Sequence, residues 1–221
     1  KQMIIPLRLE KYGLSCTESL SQYGIINGMV MPIILFPSTF ITSFSSLLVP
    51  EFSYYNARKE NKNMSYVTSK VFKFTFIFSI CIVGIFFCFS DELSLFIYNN
   101  ISISKYIKIL CPLIILIYVD NVVDSILKGI DKQVGVMVTN IFDLLISISF
   151  IYFLLPIYGI FGYLCVLFIS ELFNCSFSIL QLMKFNKFNF NFINWIIKPI
   201  FSIIIINLFF YYIIKINLNS I

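Results

Sequence analysis

Four carboxylates stand inside runs that otherwise read as soluble in hydrocarbon. Asp120 and Asp124 are spaced i, i+4 and share a face with Ile117 and Lys128. In the next run Asn140, Asp143 and Ser147 fall at i, i+3 and i+7, and in the one after Glu171, Asn174 and Ser178 repeat that spacing, with Gln181 extending the stripe. An Asp at a membrane helix centre costs about 2.5–3.5 kcal/mol on insertion scales, so such a residue needs a reason. Oxygen donors in hydrocarbon can hold a proton or a cation. At 1.5 Å per residue, Asp124 lies about 6 Å inward of Lys128, Asp120 about 12 Å, and Asp143 about 15 Å from Gln133. Asp124 can pair with Lys128 one turn away; Asp120 and Asp143 have no such partner in their own helices. Three successive polar stripes on apolar bodies suggest a shared hydrated cavity. The competing reading is interhelical glue, in which Asn, Ser and a protonated Asp bond across packed helices for about 0.6 kcal/mol each.

The elements that must carry these residues are six apolar runs, at about 22–50, 66–90, 103–128, 133–155, 159–183 and 192–215. Residues 1–21 form a polar lead-in that reads as the end of a preceding helix and an extracytoplasmic segment; 22–215 form a six-helix transmembrane lobe and 216–221 a truncated tail. Between the first two runs, Arg58, Lys59 and Lys62 with Asn56, Asn61 and Asn63 read as a solvated loop, and 91–100 as an acidic, amide-rich one. The turn around Pro156, Gly159 and Gly162 carries no charge. Connections this short require antiparallel neighbours.

Cations near membrane ends favour the cytoplasm. Arg58, Lys59, Lys62, Lys70, Lys73, Lys128, Lys132, Lys184 and Lys187 make nine on one side; Lys1, Arg8, Lys11, Lys105, Lys108 and Lys215 make six on the other. Lys198, within the sixth run, can snorkel to the interface. The bias places 51–65 in the cytoplasm and 156–162 outside.

Composition fits a bundle in the membrane: of 221 residues, 59% are hydrophobic and 12% charged, half the charged share of an ordinary soluble domain. The class is all-α, a polytopic bundle in the cell membrane. No histidine occurs, which excludes within this chain a Ser/His/Asp hydrolase, a His-ligated zinc or haem site and a histidine proton shuttle. The six cysteines include no C-x-x-C pair and read as small apolar residues. Sixteen scattered Lys and Arg form no basic patch for nucleic acid. With no nucleophile–base pair and no metal-ligand cluster, the chain does not read as an enzyme and implies no cofactor beyond a coupling ion. Because the chain starts at Lys1 rather than Met, it reads as a piece of something longer.

The first run differs in having Pro32, Pro37 and Pro50 among Ser38, Thr39, Thr42, Ser43, Ser45 and Ser46. Proline within a span frees carbonyls and bends the helix, and hydroxyls re-satisfy them. Pro32 and Pro37 are either gating prolines or the cause of a static kink.

Five segments in order, IIPLRLEKYG at 4–13, GMVMPIILFPSTFITSFSSLLVPE at 28–51, FSDELSLFIYNN at 89–100, YVDNVVDSILKGIDKQ at 118–133 and IYFLLPIYGIFGY at 151–163, carry a resemblance. Together they resemble the carboxyl-terminal half of the stage V sporulation protein B family of polysaccharide exporters. That family lies within the MATE-like superfamily of multidrug and toxin extruders and lipid II flippases. The resemblance implies one six-helix lobe of a two-lobe transporter, from the end of helix seven through helix thirteen, with the amino-terminal lobe missing. It implies a flippase that moves a lipid-linked saccharide, a peptidoglycan precursor in spore formation, by alternating access in the bilayer. A non-transporting membrane partner or truncated relic, and a small-molecule exporter on the same fold, are the alternatives. Arginines that meet substrate phosphate in lipid II flippases lie largely in the other lobe, and Arg8 and Arg58 are outside the spans. Some of those flippases hold sodium in the carboxyl-terminal lobe. If transport is ion-driven, Asp143 is the first choice to hold a sodium ion or proton, Asn140 its neutral co-ligand, and Asp120, Glu171 and Asp124 its neighbours.

Overall fold

The computed structural model describes residues 4–186, 188, 193–203 and 205, and all regular structure among them is helical. A short helix, α1 (Ile4–Lys11), buries Ile5 and Leu9. After a turn, α2 (Cys16–Gly24) starts at a capping box in which Ser15 Oγ accepts from the Glu18 N–H and the Glu18 carboxylate accepts from the Ser15 N–H. The helix widens into a π-type stretch at Ile25–Val30, resumes as α3 (Met31–Leu35), breaks at Phe36–Pro37 and continues as α4 (Ser38–Ala57). The two halves meet at 55°. Pro37 has no N–H to donate into the turn before it, and the break follows. Ser38 Oγ donates to the Leu35 carbonyl at 2.6 Å and Thr39 Oγ1 to that of Phe36 at 2.8 Å, as the hydroxyl-rich sequence leads one to expect.

α5 (Asn61–Cys88) is continuous, whereas Ile101–Leu110, containing α7 (Ser104–Leu110), meets α8 (Leu113–Gly129) at 52° across Cys111–Pro112. Between them α6 (Ser90–Tyr98) takes up residues read from sequence as a loop. Asp91 and Glu92 in its first turn suit the helix dipole, Ser90 and Ser94 pack inward, and Asn99 closes it in the left-handed conformation at φ 49°. Phe96, 91% exposed, points away from the protein, the position of an interfacial anchor. Lys108 Nζ donates to Asp91 Oδ2 at 2.9 Å, and the Ser104 hydroxyl together with this lysine holds the Asp91 carboxyl below the usual carboxylate range.

The longest helix, α9 (Gln133–Phe185), is a hairpin. At Gly159 the backbone turns to φ 56°, ψ −134°, and the arms 133–158 and 160–185 run back along each other, with Ser147 Oγ 2.8 Å from Ser170 Oγ. Each arm is about 26 residues, roughly 39 Å at 1.5 Å per residue, enough to cross a bilayer. α5 and α9 are each apolar and long enough to span, and the two bent pairs pass as pairs. With α9 counted as two arms, the first five apolar runs each become a crossing segment, and the protein is a multi-pass membrane bundle. The solvated loop is shorter than its sequence implies: α4 continues through Ala57 because Phe52 is fully buried on that last stretch. Of the sixth run only Ile193–Ile203 and Ile205 are described. The rest of 192–215, the tail 216–221, and Lys1, Lys187 and Lys215 lie outside the described residues.

α8 is the central element, burying Tyr118, Val122, Val123 and Ile126 against α4, α5 and α9. Tyr12 lies against Gly159, and Lys105 Nζ sits 5.4 Å from the Phe161 ring centre, so α1, α7 and the hairpin tip share one end of the bundle. Lys132 Nζ lies 4.5 Å from the Phe185 ring centre and joins both feet of α9 at the other end.

Two outcomes are expected at these ends. Gly159→Ala places a side chain in a backbone region open essentially to glycine and crowds Tyr12, costing about 1–3 kcal/mol and lowering the thermal midpoint in detergent. Gly28→Ala, into open space, leaves the midpoint nearly unchanged. For orientation, a cysteine at position 61 in a cysteine-free background is expected to label only after the membrane is opened. Labelling from outside intact cells reverses the assignment.

Candidate functional site

The polar stripes converge where α8 packs between the arms of α9. Asp120 and Asp124 lie on one face of α8, Asn140 and Asp143 on the first arm, Asn174 and Ser178 on the second. Asn174 Nδ2 donates to Asp120 Oδ2 at 2.9 Å and stands 3.4 Å from Asn140 Oδ1, so one amide links all three segments. Ser170 Oγ donates to Asp143 Oδ1 at 2.5 Å and contacts Ser147 Oγ at 2.8 Å, forming a second node between the arms. Ser178 Oγ reaches Asp124 Oδ1 at 3.5 Å, which is marginal for a hydrogen bond. Glu171 is partly buried one turn before Asn174.

The first node is short of donors. Asp120 Oδ1 and Asn174 Oδ1 are both buried and meet no hydrogen-bond donor. A buried acceptor without a donor costs about 1–3 kcal/mol, more for a charged group. A proton on Asp120, or a cation bound at its bare oxygen, would supply what that oxygen lacks. Among the described residues no group of three His, Cys, Asp or Glu side chains is arranged to hold a metal ion. Amide oxygens would therefore have to share a sodium ion with a carboxylate.

Of the residues singled out from sequence, the structure brings Asp120 to Asn174 and Asn140, and leaves Asp143 in a separate node with Ser170. Asn140 Oδ1 accepts from Asn174 Nδ2, the amide that also donates to Asp120. The Asn140 side chain is exposed in an open groove of about 410 Å3 that also includes Lys128 and Gln133 and leads from the Lys128 end of the bundle. Ser170 joins Asp143 to Ser147, and the sequence gives little sign of it. Its place one turn before Asn174 on the same stripe was the available signal. Pro32 and Pro37 stand on the first bent pair, not at this site.

The comparisons with known proteins agree with this architecture. Stage V sporulation protein B of Bacillus subtilis (strain 168) is 24% identical over 162 residues. The match takes in 72% of this chain but 31% of that protein, so the chain spans about a third of the relative's length. No solved structure matches. The MatE family matches residues 12–153, from before α2 through most of the first arm of α9, including Asp120, Asp124, Asn140 and Asp143. Because that match covers well over half of this helical, membrane-spanning chain, the chain belongs to the MatE family.

Proposed function

We propose that the chain is one lobe of a flippase that moves a lipid-linked saccharide across the membrane by alternating access, with a second, amino-terminal lobe as its partner across the cavity. A peptidoglycan precursor of spore formation is the cargo that the family resemblance implies. A sugar with a pyrophosphate cannot cross about 30 Å of hydrocarbon unaided. A polar face in the bundle shields the head group while the lipid tail stays in the bilayer.

The observation that carries this reading is the acceptor-rich node of Asp120, Asn174 and Asn140 joining three apolar segments. Glue alone is best served by matched donors and acceptors, yet here two buried oxygens lack donors. In the proposed cycle a sodium ion or proton enters at this node, neutralises Asp120 and draws the arms of α9 onto α8. Its release loosens them. Asp143, held by Ser170, sits beside this node as a second carboxylate able to take the ion, with Glu171 and Asp124 shaping the local field.

Translocation of defined lipid-linked oligosaccharides in proteoliposomes, with and without a sodium or proton gradient, tests the reading. Gradient-dependent movement of lipid-linked substrate supports it. Efflux of small cationic drugs with no movement of lipid-linked substrate assigns small-molecule export, and no movement of either leaves a non-transporting membrane partner.

A further inference from the structure

An open groove of about 670 Å3 lies between the two feet of α9, at the end away from Gly159. Val134, Val138, Phe177 and Leu180 supply apolar wall, while Gln181 and Lys184 supply the polar groups. Gly135 makes the groove's shape possible, since a Cβ there would coincide with the Gln181 amide. Gln181 Oε1 is buried and meets no donor. Lys132, stacked on Phe185, brings a second cation to the same rim. The groove is separate from the Asp120 node and uses none of its residues.

An apolar trough with cations at one end matches an amphiphile with an anionic head. We propose that it holds one acyl chain of an anionic phospholipid from the surrounding leaflet, whose phosphate meets Lys184 and Lys132. Its headgroup is anionic through the phosphate alone, which makes phosphatidylglycerol the suitable probe beside zwitterionic phosphatidylcholine. The position is consistent with the cation-rich side of the bundle, where anionic lipids draw basic side chains at about 1 kcal/mol each. Both feet of α9 touch the bound lipid, so its occupancy sets how far the arms can part. The proposal stands whatever the protein transports.

The test is native mass spectrometry of the whole chain extracted from bilayers of equal phosphatidylglycerol and phosphatidylcholine. One phosphatidylglycerol is expected to be retained, roughly tenfold over phosphatidylcholine. Lys184→Gln, an exposed change that leaves the core intact, should lower retention roughly fivefold, the equivalent of about 1 kcal/mol. Leu180→Trp, filling the trough without altering charge, should abolish it. Lys62→Gln, a cation of the same membrane side away from the groove, should leave it within about twofold. Equal retention of the two lipids, or equal loss in Lys62→Gln and Lys184→Gln, overturns the proposal in favour of diffuse surface attraction. Retention of a polyprenyl-linked species in place of phospholipid, or a crosslink from a cysteine at position 180 to residues 206–221, overturns it by naming another occupant.

Discussion

Asp120→Asn is expected to reduce gradient-driven transport to background while insertion and yield stay near normal. The substitution keeps the shape of the side chain, and with its amide oxygen in the place of Oδ2 it still accepts from Asn174 Nδ2, while an NH2 replaces the bare Oδ1. What it removes is the charge and the acceptor that a sodium ion or proton would take. Asp143→Asn also preserves the acceptor that Ser170 addresses at 2.5 Å, and the same loss is expected there if the ion passes between the two nodes. Asp124→Asn should do much less, because that carboxylate lies one turn from Lys128 and has only a 3.5 Å approach from Ser178. Translocation driven by a sodium or proton gradient in proteoliposomes measures all three. Equal tolerance of the three changes makes the carboxylates packing groups. Failure of Asp120→Asn and Asp143→Asn to insert makes the node structural, and the coupling site then belongs to another part of the transporter.

The positions in that experiment show what the sequence makes legible. The i, i+3, i+7 spacings place Asn140, Asp143 and Ser147 on one face, and Glu171, Asn174 and Ser178 on another. Helical periodicity says nothing about which faces meet. Sequence alone ranks Asp143 first, because it stands near the midplane of its run. Packing shows it supplied with a hydroxyl donor and leaves Asp120 with a bare oxygen. Ser170 is illegible in the sequence because a serine in an apolar run is common and acquires meaning only opposite Asp143, 27 residues earlier in the chain.

Among the elements, hydrophobic runs of spanning length and the Pro156, Gly159 and Gly162 punctuation were sufficient to separate the two arms of α9. They were legible because a hairpin of two membrane helices needs a tight, uncharged turn, and few residues can make one. α6 was illegible for the opposite reason. Its polar and acidic residues resemble a loop, and it is helical because Ser90 and Ser94 pack inward beneath an exposed Phe96. Helix ends near the membrane surface follow from tertiary packing of single residues such as Phe52, which a composition window averages away.

Replacing Pro32 and Pro37 together by alanine is expected to slow transport by one to two orders of magnitude without preventing insertion. The first crossing bends by 55° at Phe36–Pro37, and its preceding turns are already loosened by the π-type stretch at Ile25–Val30. Pro37 removes one helical hydrogen bond and its ring blocks the straight path, a penalty of about 3 kcal/mol against the unbroken helix. Pro32, just after the π-type stretch, removes another donor in the same region. With alanine at both positions the N–H groups return, and the hydroxyls of Ser38 and Thr39 no longer need to occupy the Leu35 and Phe36 carbonyls. If transport requires the halves of this span to bend as the lobes rock, a change of about 3 kcal/mol shifts the bent population by roughly a hundredfold. The rate falls with that population, while affinity for the coupling ion at Asp120, on a different segment, stays unchanged. Single-turnover translocation read beside ion binding separates the two. A double variant that transports at the wild-type rate makes the bend a static kink, and the moving element is then to be sought at the second broken pair, where Cys111–Pro112 turns the chain by 52° directly before the helix that carries Asp120.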